Sequence, residues 1–270
     1  MIIDGKKIAN RLKEEIRSQV LAAPREISLG IIYVGENKVI ENFIKIKKNF
    51  SADAGILTVV YNFKEDIKKE ELISEIKRIS ALHSGLVVQL PLPENLPVKE
   101  ILNSIPKDKD VDLLSDYSFH DFIEGQSKIF PPVAGAIKEI FNEYKVDLTD
   151  KQILIIGQGR LVGLPTYYWL KNLGLDPYFV DKNIIDIAPY TKKADIIISG
   201  AGSPGLLKPE MLKEGVVLID AGTSENSGKI SGDASPECAA KCLLFAPVPG
   251  GVGPIGVATL FKNLLELAQS

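Results

Sequence analysis

Between Lys6 and Leu21 the apolar residues Ile8, Leu12, Ile16 and Val20 recur at every fourth position. That spacing predicts an amphipathic helix with one face toward a core. Ile27–Val34 follows as a short, β-branched apolar run, a strand, which Gly35-Glu36-Asn37 breaks. Val39–Ala54 returns to a helical pattern carrying several lysines, and Gly55 stands where a helix C-terminus favours glycine. Leu57–Tyr61 reads as a second strand, Ile67–Leu82 as a helix and Gly85–Leu90 as a third strand, stopped by Pro91-Leu92-Pro93. Pro97–Ser104 is a short helix. Pro106–Phe130 has no clean period and reads as loop with short elements, and Gly135–Tyr144 is helical. Strand and helix alternate, which implies right-handed βαβ units and a parallel sheet.

The pattern then restarts. Gln152–Ile156 is a buried strand, Gly157–Gly163 a glycine-rich turn, and a helix runs to Leu173. Strands follow at Asp176–Asp181, Asp195–Gly200 and Val216–Asp220, with short helical steps at Ile184–Tyr190 and Pro209–Lys213 between them. Phe245–Gly256 reads as a Gly/Pro-rich loop and Val257–Gln269 as a final helix. Two βα series imply two α/β domains meeting near residue 133.

Composition narrows the function classes. The chain has 270 residues, 45% hydrophobic and 25% charged, as expected of a globular protein. Its 32 Lys+Arg against 35 Asp+Glu leave a net charge of −3, without the basic surplus of a nucleic-acid binder. No apolar run approaches the roughly 18 residues of a membrane-spanning helix. The N-terminus has no signal-peptide pattern, so a cytoplasmic protein without a membrane partner is expected. Cys238 and Cys242 read as two ordinary thiols on one helix, too few ligands for zinc. His83 and His120 are far apart in sequence and read as structural, so no metal is expected.

Five segments carry candidate chemistry. In Gly157-Gln158-Gly159-Arg160-Leu161-Val162-Gly163 the glycines fall between a strand and a helix. Backbone N–H groups approach a pyrophosphate there, and the helix N-terminus favours its charge. Asp181 ends the next strand, where a carboxylate accepts ribose hydroxyls and repels a 2′-phosphate. Phe43 and Lys47 lie one helical turn apart, on one face. Gln89, in Val88-Gln89-Leu90-Pro91, ends a strand where open α/β sheets bind ligands. Asp108-Lys109-Asp110-Val111-Asp112 reads alone as an acidic loop, and Pro247–Pro254 as a shaped backbone at a junction.

Taken together, Lys47, Gly85–Pro93, Lys109–Asp112, Arg160–Pro165, Asp195–Gly200 and Pro247–Pro254 occur in the order of a known family. The chain resembles the bifunctional methylenetetrahydrofolate dehydrogenase/methenyltetrahydrofolate cyclohydrolase family, over nearly its full length. The resemblance implies an N-terminal three-layer α/β folate-binding domain, residues 1–132, and a Rossmann-type NAD(P)-binding domain, residues 133–253, with the C-terminal helix, 254–270, returning to the first. It implies a folate substrate in the cleft between domains, oxidation of its methylene group by the dinucleotide, hydrolysis of the methenyl product, and a homodimer. Lys47 matches the lysine that handles protons in hydrolysis, Gln89 the glutamine that tunes it, and Asp112 the aspartate that binds the amino edge of the pterin. Phe43, Val88, Leu90, Pro91, Gly253 and Pro254 match positions beside the folate. Gly157, Gln158, Gly159, Arg160, Val162, Gly163, Asp181, Lys182, Gly200 and Ala201 match the dinucleotide site.

The departures fall on both sites. Phe43 stands where the family has Tyr, Leu113 where it has Gly after the Asp-Val-Asp, Gly159 where it has Ser, Ile255-Gly256 where it has Met-Thr, and Pro131-Pro132-Val133 where it has Cys-Thr-Pro. Family membership implies NADP. Asp181 and the absent Ser suit NAD, while Arg160 and Lys182 offer charge to a 2′-phosphate, and the choice stays open. So do a dehydrogenase with hydrolysis impaired at Phe43, a non-catalytic folate- or nucleotide-binding homologue, and a different Rossmann oxidoreductase.

Overall fold

The computed structural model describes residues 1–181, 186–226 and 229–269. They form two compact α/β units. One comprises Asn10–Pro131 with Val257–Ser270, the other Met1–Ala9 with Pro132–Gly256.

The first unit is built on a three-stranded parallel sheet in the order β2-β1-β3, from β1 (Ser28–Val34), β2 (Leu57–Phe63) and β3 (Gly85–Val88). Every residue of β1 and β3 is buried, which is why their sequences are unbroken apolar runs rather than alternations. On one face Leu29, Ile31 and Val87 pack with Ile16 of α1 (Gly5–Ala22), with Ile40 and Ile44 of α2 (Lys38–Ala54) and with Phe261 and Leu264 of the C-terminal helix. On the other, Ile32, Val34, Leu86 and Val88 pack on Leu72, Ile76 and Ile79 of α3 (Lys69–Ser80) and on Ile101 of α4 (Val98–Leu102). Helix, sheet and helix give the expected three layers. Asn37 caps α2 by accepting from the Val39 and Ile40 amides, and Gly55 closes it at φ 77°. Residues 106–130 carry short elements, as expected: a 3₁₀ turn at Lys107–Lys109 and α5 (Asp116–Ile123), capped by Ser115.

The second unit opens with α6 (Pro132–Glu143) and carries a five-stranded parallel sheet in the order β10-β7-β6-β4-β5. The strands are β4 (Ile153–Ile156), β5 (Tyr178–Val180), β6 (Ile196–Ser199), β7 (Val216–Asp220) and β10 (Cys242–Ala246). Between them lie α7 (Gly163–Asn172), α8 (Ala188–Thr191) and a hairpin of β8 (Ser224–Asn226) and β9 (Lys229–Ser231). The chain winds outward in both directions from β4 and β6, so the switch point lies between those two strands, where open sheets bind ligands beyond their carboxyl ends.

Four expectations are corrected. The hairpin and β10 had no place in the strand pattern. Cys238 is buried in a short 3₁₀ turn and Cys242 begins β10, so the two thiols do not share a helix. The last helix, α9 (Val252–Gln269), starts five residues earlier than its apolar period suggested, because Gly253, Pro254 and Gly256 form its first turns. Residues 1–9 group with the second unit rather than the first. The Ile3 amide donates to the Phe245 carbonyl at 2.8 Å, and the Gly5 amide to that of Gly250 at 2.9 Å.

Candidate active site

Lys47 lies on the buried stripe of α2. Ile40, Ile44, Ser51 and Ala54 are the buried residues of that helix, and Lys47 falls in the same row, between Ile44 and Ser51. A lysine in a core row must turn its ammonium toward a polar partner. That partner stands at the end of β3. Gln89 is fixed by its backbone amide, which donates to the Ile32 carbonyl at 2.9 Å. Its side-chain oxygen accepts from Lys47 Nζ at 2.7 Å, and its side-chain nitrogen donates to the Leu90 carbonyl at 2.9 Å. Both ends of the amide are therefore committed, and its orientation is set.

Asp112 completes the cluster electrostatically. Burial holds the Lys47 ammonium below the usual lysine range, and the neighbouring Asp112 carboxylate partly offsets this. Burial pushes Asp112 up to about 6, against the attraction of Lys47 and with the help of nearby Asp110. The two groups thus share a partly desolvated site in which both are drawn toward neutrality. The turn that presents Asp112 is wound around Asp110, whose buried carboxylate accepts from the Leu114 amide at 3.1 Å, the Ser115 amide at 2.9 Å and the Ser115 hydroxyl at 2.6 Å. Leu113 adopts a left-handed φ of 52° there. Sequence reasoning left Asp110 as part of an acidic loop. Its signal was Ser115, a helix-capping residue type in a stretch with no period.

Phe43 is half-buried one turn before Lys47, and Val88, Leu90 and Pro91 flank Gln89. Gly253 and Pro254 head α9 within the second unit, Gly253 exposed and Pro254 half-buried.

In the second unit the glycine turn joins β4 to α7 at the switch point. Gly157 has φ 89°, and a Cβ on it would lie 2.8 Å from the Gly200 carbonyl oxygen. A Cβ on Gly163 would lie 2.0 Å from the Gly157 oxygen, so tight turn geometry excludes a side chain at both. Gly159 differs. Nothing lies within 4 Å of its Cβ position, and it is exposed together with Gln158. Two glycines serve the turn and one leaves open space, which fits a pyrophosphate held against backbone amides. Arg160 and Val162 are half-buried in the same turn. Gly200 follows β6, with its Cβ position 2.5 Å from Val162 Cγ1. The Ala201 amide is taken up by Asp233. Asp181 is exposed at the end of β5, the position of a ribose-binding carboxylate. Lys182 lies outside the described residues. Among the described residues no group of three or more His, Cys, Asp or Glu is placed to hold a metal, and no helix is long and apolar enough to cross a membrane.

The catalytic-domain model of the tetrahydrofolate dehydrogenase/cyclohydrolase family matches residues 3–112. The NAD(P)-binding-domain model of the same family matches residues 131–270. This chain belongs to the tetrahydrofolate dehydrogenase/cyclohydrolase family. It is 35% identical over 277 aligned residues to the bifunctional protein FolD of Nautilia profundicola, covering 100% of this chain and 97% of that protein. The crystal structure of the bifunctional FolD enzyme from Campylobacter jejuni superposes with a TM-score of 0.94 at 33% identity, covering 100% of this chain and 98% of the other. The Trypanosoma brucei enzyme, solved with NADP cofactor and an inhibitor, gives a TM-score of 0.94 at 28% identity, covering 100% of this chain and 97% of that one.

Proposed function

We propose that this chain oxidises 5,10-methylenetetrahydrofolate to the 5,10-methenyl form with NAD or NADP and hydrolyses that product to 10-formyltetrahydrofolate. The observation that carries the reading is Lys47 Nζ at 2.7 Å from Gln89, with its charge coupled to Asp112, in a chain of this family. Gly157, Gly159, Gly163 and Gly200 would hold the dinucleotide, which accepts the hydride when bound. Hydride transfer asks no proton of the protein, so the side chains contribute position rather than acid–base chemistry to that step.

Hydrolysis differs. Water must lose a proton as it adds to the methenyl carbon, and Lys47 is the group that takes it. The bond from that carbon to N5 then breaks, N5 gaining a proton as the added oxygen loses its second, which leaves the formyl group on N10 and releases one proton overall. Burial already lowers the proton affinity of Lys47, and a cationic substrate beside it lowers that affinity further by like-charge repulsion. Gln89 keeps Nζ aimed, and the Asp112 carboxylate accepts the N–H groups of the pterin edge.

Supplying 5,10-methenyltetrahydrofolate with no dinucleotide isolates the second reaction. Enzyme-dependent loss of its absorbance is the expected result, and a rate no faster than spontaneous hydrolysis would leave a dehydrogenase alone. Phe43 favours a slow second step, since it lacks the hydroxyl that the family resemblance implies at this position, one turn from the lysine. Phe43→Tyr is expected to raise methenyl hydrolysis by about tenfold, the worth of one hydrogen bond at a charged group. Dehydrogenase rates should change less than twofold. No gain in steady-state hydrolysis would show that the site does without that hydroxyl.

Cofactor choice turns on Asp181. Its exposed carboxylate at the end of β5 accepts ribose hydroxyls and repels a 2′-phosphate, and so favours NAD. Asp181→Ser is expected to raise the NADP-to-NAD ratio of kcat/KM by about tenfold, which corresponds to about 1.4 kcal/mol. An unchanged ratio would assign discrimination to other groups.

A further inference from the structure

We infer that Asp233, which lies outside the glycine turn and far from it in sequence, is a positioning residue for dinucleotide binding: its buried carboxylate sets the loop Ser199–Ser203 at the distance the Gly157–Gly163 turn requires. This rests on the reading above that the two segments hold the dinucleotide. Ser199 ends β6 and Gly200–Ser203 have no secondary structure of their own, and three polar groups of this segment converge on the one carboxylate. The Ser199 hydroxyl donates to Oδ2 at 2.6 Å, the Ala201 amide to Oδ2 at 2.8 Å and the Ser203 amide to Oδ1 at 2.6 Å. Asp233 is fully buried, so these charge-assisted bonds are shielded from competing water.

Asp233 is itself anchored to the sheet. Its backbone amide donates to Asp220 Oδ1 at 3.1 Å, and the next amide, of Ala234, to Asp220 Oδ2 at 2.9 Å. Asp220 ends β7 and is likewise fully buried. Two glycines vacate the space these carboxylates fill. A Cβ on Gly222 would lie 2.2 Å from the Asp233 carboxyl, and one on Gly232 2.0 Å from Asp220 Oδ2.

The far side of the loop is where position matters. The Gly200 oxygen lies 2.8 Å from the Cβ position of Gly157, and Val162 Cγ1 lies 2.5 Å from that of Gly200. The glycine turn and the loop therefore pack backbone to backbone, and a loop displaced by a few tenths of an ångström would crowd or open the turn. With the Ala201 and Ser203 amides directed inward to Asp233, these two donors serve loop shape rather than ligand contact.

The test uses two reactions of one protein. Methenyl hydrolysis needs no dinucleotide and draws on Lys47, Gln89 and Asp112 of the other unit. Asp233→Asn places an amide NH₂ against one of the three donors. It is expected to raise the Kd for reduced dinucleotide, read by fluorescence titration, and the dinucleotide KM by about tenfold, the cost of one unmade buried hydrogen bond. The hydrolysis rate and the folate KM should stay within about twofold of wild type. Ser199→Ala, which deletes one donor without repulsion, should move Kd in the same direction by a smaller factor, and it carries the test if the Asn variant does not fold. A parallel loss of hydrolysis and of dinucleotide affinity would overturn the proposal, since that is the signature of a residue the fold merely needs. Gly159→Asp separates the premise. If it weakens dinucleotide binding while the Asp233 and Ser199 variants do not, the anchor is refuted and the site stands. If none of the three weakens binding, the site reading fails and the proposal with it.

Discussion

Lys47→Met is expected to lower methenyl hydrolysis by about 10³-fold while dehydrogenase activity falls less than about tenfold. General-base catalysis contributes about 10²–10⁴-fold, and that contribution applies only to the step in which water gives up a proton. Methionine keeps the length and apolar stem of the side chain, so the core row of α2 from Ile40 to Ala54 should stay packed. The substitution leaves Gln89 Oε1 without its donor, and water fills that place at a half-buried site. Steady-state assays of the two reactions on the same preparation measure the split. Equal losses would mean that Lys47 acts in binding or in folding rather than as the base.

Asp112→Asn is expected to raise the folate KM by about 10–100-fold in both reactions, because it replaces a charged acceptor facing two donors with a group that donates on one side. The wild-type enzyme should show the same dependence through pH. Asp112 titrates at about 6, so folate affinity should fall as pH drops through that value, the carboxyl becoming protonated. Stability should move the other way. The folded state holds this proton more tightly than the unfolded chain, whose carboxyl titrates near 3.8. The stabilising contribution of this group is fully present below about 3.8 and is lost as pH rises through about 6. KM–pH profiles of wild type and Asp112→Asn should therefore differ by one inflection near 6, absent from the variant. An inflection that survives the substitution belongs to another group.

The elements that were legible in the sequence are those whose burial is local. The strands Ser28–Val34, Ile153–Ile156 and Ile196–Ser199 are buried throughout, and their near-continuous, Ile-rich apolar runs say so. Asn37 and Gly55 bracket α2 with ordinary capping chemistry. What escaped depends on distant partners. β10 pairs with β7 along one side, and Met1–Ile3 hydrogen-bond to Phe245, which no local pattern encodes. Glycine and proline hid the start of α9, because Pro254 suits a helical first turn as well as it suits a loop. At the site, Lys47 was identified by family resemblance, although its place in the row of Ile40, Ile44, Ser51 and Ala54 is a physical signal in its own right. Asp110, Asp220 and Asp233 look like solvated acids along the chain, and only the fold turns their carboxylates onto buried backbone amides.

The most direct measurement is a spectral time course of the purified protein with 5,10-methylenetetrahydrofolate, run separately with NAD and with NADP. The expected result is stoichiometric appearance of reduced dinucleotide with at least one of the two, accompanied by only transient methenyltetrahydrofolate that decays faster than it does without enzyme. Folded protein that produces no reduced dinucleotide with either cofactor would contradict it.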